Sequence, residues 1–226
     1  MKIIARIRTD FKEKFGIPRQ SGLAEAPGRI VFEPEYRAPE ALRGIEGYSH
    51  LWIIWEFSEA KREGFSPTVR PPRLGGNKRV GVFATRSPYR PNPIGLSSVK
   101  LEKIEHTREE GLVLHDIGAD ILDGTPIYDI KPYLPFTDCH TDAIGGFADE
   151  VRDYKLEVAV SEELLARVNA EKRGTLIEIL MGDPRPSYKP EGENEYGMRF
   201  ADYEVKFVVE GGVLTVNDII LCGDKK

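Results

Sequence analysis

Two arginines, Arg86 and Arg90, stand in the run TRSPYRPNPIGLSSVKL (residues 85–101), interleaved with Pro88, Pro91 and Pro93. Proline fixes φ and removes a backbone donor, so three prolines hold the loop's path at low entropic cost. Pro93 also biases Asn92 toward extended geometry. A loop ordered in this way can present guanidinium forks at fixed angles, and such forks grip carboxylates or phosphates through paired hydrogen bonds. Gly95 leaves space for backbone to approach a ligand closely. A rigid turn between two strands, with its arginines in water, would use the same residues.

A second constellation is LDGTPIYDIKPY, residues 122–133. Asp123, Asp129 and Tyr133 are separated by even numbers, which places them on one face of a strand. Acceptors on one face can take an amine proton or a ribose hydroxyl. A DG turn followed by an edge strand that tolerates Pro132 explains the same pattern. In GIPRQSG (residues 16–22), Pro18, Arg19 and Gln20 form an exposed loop whose amide can pair with the edge of a base or cofactor. TDCHTD (residues 137–142) mixes metal-ligand types, but no second cluster accompanies it, so no metal is expected. His50 precedes an apolar run and reads as structural, while His106 and His115 have no partner signal. The chain has no GxGxxG, GxxxxGK[ST], GxSxG or HExxH, so a nucleotide-like ligand would not rest in a Rossmann or P-loop cradle.

The net charge of −5 argues against a wholly basic nucleic-acid binder. Its distribution argues otherwise. Residues 64–101 contain no Asp or Glu, while Arg70, Arg73, Lys78, Arg79, Arg86, Arg90 and Lys100 supply seven positive charges. Such segregation makes a local positive field that steers anions, although scattered basic residues on a solvated loop share the composition. The longest apolar run, residues 51–55, is far short of the ~20 residues of a membrane helix. The N-terminal MKIIARIRTDF alternates instead of forming a signal-peptide core, which reads as cytoplasmic. Cys139 and Cys222 lack CxxC spacing and imply neither a zinc site nor a disulfide framework.

The elements that must position these residues are mainly β. Alternation predicts strands at residues 3–8, 29–33, 51–57, 80–84, 97–104 and 112–117. Segments 119–122 and 127–130 flank Asp123-Gly124 as a predicted hairpin, and residues 39–42 suit one short helix. Many short strands between Gly/Pro turns imply a single-sheet antiparallel β-barrel over residues 1–150. Residues 151–226 read as a small α+β unit. A Ser161-capped helix runs to about Asn169, and residues 173–181 suit either a helix or a strand. The turn-rich GDPRPSYKPEGENEYG follows, then strands at 203–209 and 213–221 joined by Gly211-Gly212. So small a unit should lean on the barrel or on a second subunit.

RTDFKEKFGIPRQSGL, RGIEGYSHLWIIWEF, RPPRLGGNKRVGVFATRSPYRPNPIGLSSVKL and DGTPIYDIKPYLPFTD resemble the TsaA-like family of tRNA N6-threonylcarbamoyladenosine methyltransferases. DPRPSY and the closing strand pair resemble the C-terminal unit of its longer bacterial members. The resemblance implies a barrel that binds S-adenosylmethionine. It also implies methyl transfer to N6 of threonylcarbamoylated adenosine at tRNA position 37, beside the anticodon, in a threonine tRNA. Cofactor contacts carry over to Pro18, Arg19, Gln20, Phe57, Ser58, Arg86, Leu96, Asp123, Gly124, Thr125 and Pro126. Ser58 stands where other members often carry histidine. Family members pair as homodimers.

Methyl transfer from a sulfonium is an in-line displacement that needs no metal, so positioning supplies most of the catalysis. Exocyclic N6 is a poor nucleophile, and an acceptor that orients or removes its proton helps. Asp129 and Tyr133 are the expected acceptors. Arg86 would meet the cofactor carboxylate or a phosphate, and Arg70, Arg73, Lys78, Arg79 and Arg90 the tRNA backbone. A binding module without transfer activity, or transfer to another acceptor, remains compatible with the same residues.

Overall fold

Inward-facing apolar residues alternate along six strands and close them into one barrel. In chain order these are β1 (Ala5–Thr9), β2 (Pro27–Phe32), β3 (His50–Glu56), then two short strands β4 (Thr68–Val69) and β5 (Val80–Gly81), then β6 (Ile94–Thr107), β7 (Gly111–Ile117) and β8 (Pro126–Pro132). The computed structural model describes residues 1–60, 64–71, 78–185 and 192–223. The closed sheet runs β1-β2-β7-β6-β3-β8, with antiparallel pairing throughout. The expected fold class is therefore the observed one.

The core consists of Ile7, Ile30, Leu51, Ile53, Val99, Leu114 and Ile127, each at most 1% exposed. Closure depends on β6, whose first half pairs with β3 and second half with β7. A register shift between Leu101 and Lys103 lets it serve two neighbours, as a bulge bends a strand at a barrel corner. Trp55 faces Gly95 across the β3–β6 ladder, and a Cβ at Gly95 would lie 2.2 Å from the indole. The glycine thus admits this ring before any ligand.

Three local expectations need correction. Residues 82–84 form a 3-10 turn, not the end of a strand. Segment 119–122 does not pair with β8 in a hairpin at Asp123-Gly124. Its Ala119 and Ile121 plug the barrel, while its backbone bonds outward: Ala119 N–H donates to Ala26 O, and Ile121 O accepts from Thr9 Oγ1 at 2.9 Å. Gly124, at φ 77°, then turns the chain into β8, which pairs with β1 and β3. The turn-rich 182–197 run also carries the start of a strand that its composition concealed.

A short helix α1 (Pro135–Asp138) follows the barrel, and Asp138 there accepts Trp52 Nε1–H at 2.7 Å. Beyond it come β9 (Glu157–Ala159), α2 (Glu162–Ala166), α3 (Ala170–Met181), β10 (Gly192–Phe200), β11 (Tyr203–Glu210) and β12 (Val213–Leu221). Ser161 caps α2 by accepting from Leu164 N–H, but that helix ends at Ala166 and not near Asn169. Asn169 instead caps α3, so residues 173–181, which suited a helix or a strand, are helical. The sheet order is β10-β11-β12-β9, with Gly211 and Gly212 at positive φ in the β11–β12 turn. Its core, built on Leu176, Leu180, Val205, Phe207 and Leu214, also holds Phe11, Ala24 and Ala26 from the β1–β2 loop. Gly16 in that loop sits where a Cβ would meet Met198 Sδ at 2.5 Å. The first loop therefore belongs to both cores.

Candidate active site

The β1–β2 loop, the chain after β3, the proline loop before β6 and the 119–125 segment converge at one end of the barrel. They enclose a cavity of about 520 Å³, within the usual range for a small-molecule site. Pro18, Arg19 and Gln20 form one wall, and Phe57 and Ser58 another. Arg86, Arg90 and Leu96 come from the proline loop and the start of β6, and Asp120 and Thr125 from the segment before β8. Trp52 and Trp55 supply apolar surface.

Eight of the eleven expected cofactor residues line this space: Pro18, Arg19, Gln20, Phe57, Ser58, Arg86, Leu96 and Thr125. Asp123, Gly124 and Pro126 do not. Asp123 instead receives Thr9 N–H at 3.0 Å and pairs with Lys12 at 2.9 Å, and Gly124 O accepts from Arg6 Nη1 at 3.1 Å. Pro126 is buried opposite Arg6 in the β1–β8 pair. These three brace the wall from which Thr125 points inward.

Asp129 and Tyr133 also lie away from the cavity. Ile130 pairs with Ile53 inside the barrel, so Asp129, beside Ile54, faces outward and pairs with Lys131 at 2.9 Å. Asp123 lies in the turn before β8 begins at Pro126, so strand parity does not put it on one face with Asp129. The Tyr133 ring lies 5.5 Å from that of Trp52. Desolvation, followed by the charges of Cys139 and Asp138, pushes its hydroxyl above the ordinary phenol range. Among the basic candidates, Arg70, Lys78 and Arg79 are exposed, with Arg79 Nη1 donating to Thr68 Oγ1 at 3.1 Å. Arg73 lies outside the described residues. Arg90 faces the cavity and braces its loop, donating to Thr85 O at 2.7 Å and Val82 O at 3.2 Å.

A chain of polar contacts ties the cavity wall to the second sheet. Arg185 and Asp183 form a buried ion pair at 2.9 Å, and their carbonyls accept Arg19 Nη2 at 3.1 and 3.0 Å. Gln20 donates to Arg19 O and accepts from Arg86 Nη1. Arg86 in turn attracts Asp120, whose Oδ1 accepts Ser97 Oγ–H at 2.5 Å, and Ser97 Oγ accepts Trp55 Nε1–H at 3.0 Å. Burial nonetheless leaves the Asp120 carboxyl above its ordinary pKa, against the pull of Ser97 and Arg86. The sequence reading missed Asp120, Trp52 and Trp55. The one signal for Asp120 was an acid inside the apolar run IGADIL.

The donor set can hold a zwitterionic, aromatic ligand. A guanidinium and a carboxylate face each other across a space with indole and phenyl surfaces. Among the described residues, no cluster of three or more His, Cys, Asp or Glu is arranged for a metal, and no helix is long and apolar enough to cross a membrane.

The description "tRNA-methyltransferase O N-terminal domain" matches residues 6–139, and "TrmO C-terminal domain" matches residues 153–221. The chain belongs to the tRNA-methyltransferase O family. An Escherichia coli K12 protein named tRNA (adenine(37)-N6)-methyltransferase is 41% identical over 91% of each chain. An Eikenella corrodens protein of the same name is 47% identical over 76% of this chain and 97% of its own. A Pseudomonas aeruginosa relative, 45% identical over 89% of both chains, is provisionally named an S-adenosylmethionine-dependent methyltransferase. A crystal structure of TrmO from Pseudomonas aeruginosa superposes with a TM-score of 0.75 at 36% identity, covering 96% of this chain and 97% of that one. The family and the enzyme class expected from the sequence, a tRNA adenine-N6 methyltransferase, are both upheld. Within the tRNA-methyltransferase O family this chain carries both units; the first lines the cavity, and the second reaches its wall through the Asp183 and Arg185 carbonyls that accept from Arg19.

Proposed function

We propose that this protein uses S-adenosylmethionine to methylate N6 of threonylcarbamoyladenosine at position 37 of a threonine tRNA. The observation that carries the reading is the cavity, in which Arg86, Gln20, Asp120 and two tryptophans converge at the mouth of a barrel whose full-length relatives bear the adenine(37)-N6 name. Arg86 would meet the cofactor carboxylate with a guanidinium fork, and Gln20 and the Arg19 carbonyl would meet adenine edges. Phe57, Leu96 and Trp55 would cover its apolar surface. When bound, the cofactor supplies an electrophilic methyl group. The protein's own part is to hold the acceptor nitrogen in line and to exclude water.

Arg70, Lys78 and Arg79 would track the tRNA backbone from the acid-free segment beside the cavity. Phe83 and Phe65, 70% and 53% exposed with rings 6.1 Å apart, support a homodimer that covers them. Sedimentation equilibrium should give twice the chain mass; a monomer at all concentrations removes that part of the reading.

The deciding experiment is mass spectrometry of nucleosides from threonine tRNA incubated with the full chain and S-adenosylmethionine. Threonylcarbamoyladenosine should be replaced by a nucleoside heavier by one methyl group. Uptake of the cofactor with no methylated nucleoside would instead identify a binding module.

A further inference from the structure

Three carboxyls of the described residues line the cavity, and Asp120 is the one held deepest in its wall. Glu59 pairs with Lys14 at 3.1 Å and is half exposed. Glu56 engages the Tyr128 hydroxyl. Asp120 lies deep in the wall, fixed by Ser97 Oγ at 2.5 Å, with the Ser21 backbone also donating to it. Ser97 is itself held by Trp55, whose ring is locked over Gly95, so the carboxyl is positioned by the barrel and not by a flexible loop. The charged groups that act on it are Arg86 from the proline loop and the buried Asp116 on β7. Lys14, Arg19, Arg90, Glu56 and Glu59 share the cavity rim.

We propose that Asp120 is the proton acceptor of the methyl transfer, a catalytic role that rests on the function proposed above. N6 of threonylcarbamoyladenosine is bonded to the purine on one side and a carbonyl on the other, so its lone pair is delocalised both ways. It cannot keep both its proton and a fourth bond. As N6 forms its bond to the methyl carbon, the carbon–sulfur bond of the sulfonium donor breaks and its electron pair stays on sulfur. The N6 proton passes to a carboxylate oxygen of Asp120. Burial suits Asp120 to this task, because a carboxyl raised above its ordinary pKa is a stronger base once ionised. Ser97 and Arg86 set the opposing limit, favouring the ionised form that must accept the proton.

The test is single-turnover methylation of threonine tRNA across pH, with calorimetric titration of S-adenosylmethionine alongside. Asp120→Asn should slow transfer by about 10²- to 10⁴-fold, the usual range for a lost acid–base group, and weaken donor binding far less. Ser97→Ala keeps the carboxyl but removes a bond that favours its ionised form. The acid limb of its rate profile should therefore move to higher pH, and the Asp120 carboxyl carbon should titrate higher by the same amount in ¹³C NMR. Asp120→Asn at wild-type rate, or a loss confined to donor affinity, overturns the proposal. So does a Ser97→Ala profile that stays fixed while the NMR titration moves. A wild-type chain that transfers no methyl overturns the function beneath it, and is distinguishable because every variant is then equally inactive.

Discussion

Asp116 is the residue whose chemistry departs furthest from its sequence. It is 0% exposed, and neither carboxylate oxygen has a hydrogen-bond partner. Gly28 faces it across the β2–β7 pair, and a Cβ there would lie 2.5 Å from Oδ1. Burial, reinforced by Asp120 and Glu102, raises its pKa from 3.8 to about 7. A raised carboxyl stabilises the fold below its unfolded value and loses that contribution as pH climbs toward about 7. Across the whole window the loss amounts to about 4 kcal/mol. Asp116→Asn should abolish this slope, so urea unfolding of the variant should change little with pH where the wild type weakens. Parallel curves would mean that the carboxyl is solvated. Sequence shows Asp116 and Asp120 only as polar letters among apolar ones, because burial depends on which strand passes behind them.

Local patterning recovers elements where one physical signal dominates. Alternation located β1, β2, β3, β6 and β7, and the Ser161 cap located α2. It failed where side chain and backbone pull apart. Segment 119–122 has strand-like side chains but spends its backbone on the β1–β2 loop, and Asp123 sits in the turn before β8, outside the parity that was to link it to Asp129. The same scale explains the C-terminal unit, whose Asp183–Arg185 pair presents the two carbonyls that hold Arg19. Arg185→Met should destabilise the chain by roughly 3 kcal/mol, since it strands a buried carboxylate. It should also raise the Michaelis constant for the methyl donor more than it lowers turnover. Denaturation together with steady-state kinetics checks both, and an unchanged Michaelis constant would detach the second sheet from the cavity.

The whole molecule pairs an acidic chain with one acid-free, basic segment at the cavity's edge. Its family and fold were legible from long motifs, and most of the cavity wall with them. The enclosed carboxyl of Asp120 was not, because its burial depends on closure of the barrel. Arg70→Gln and Arg79→Gln should each flatten the slope of log tRNA affinity against log salt by about 0.7 to 0.9, the increment for one phosphate contact, and leave donor affinity intact. Filter binding at several salt concentrations measures this. An unchanged slope moves the polyanion to another face.

The catalytic expectations require that the cavity takes up the methyl donor. Calorimetric titration of S-adenosylmethionine into the full chain, wild type and Arg86→Ala side by side, tests that most directly. The account predicts one equivalent per chain, weakened by about tenfold or more in the variant through loss of a charge-assisted bond. No heat of binding to the wild type, or equal affinity in both, would contradict it.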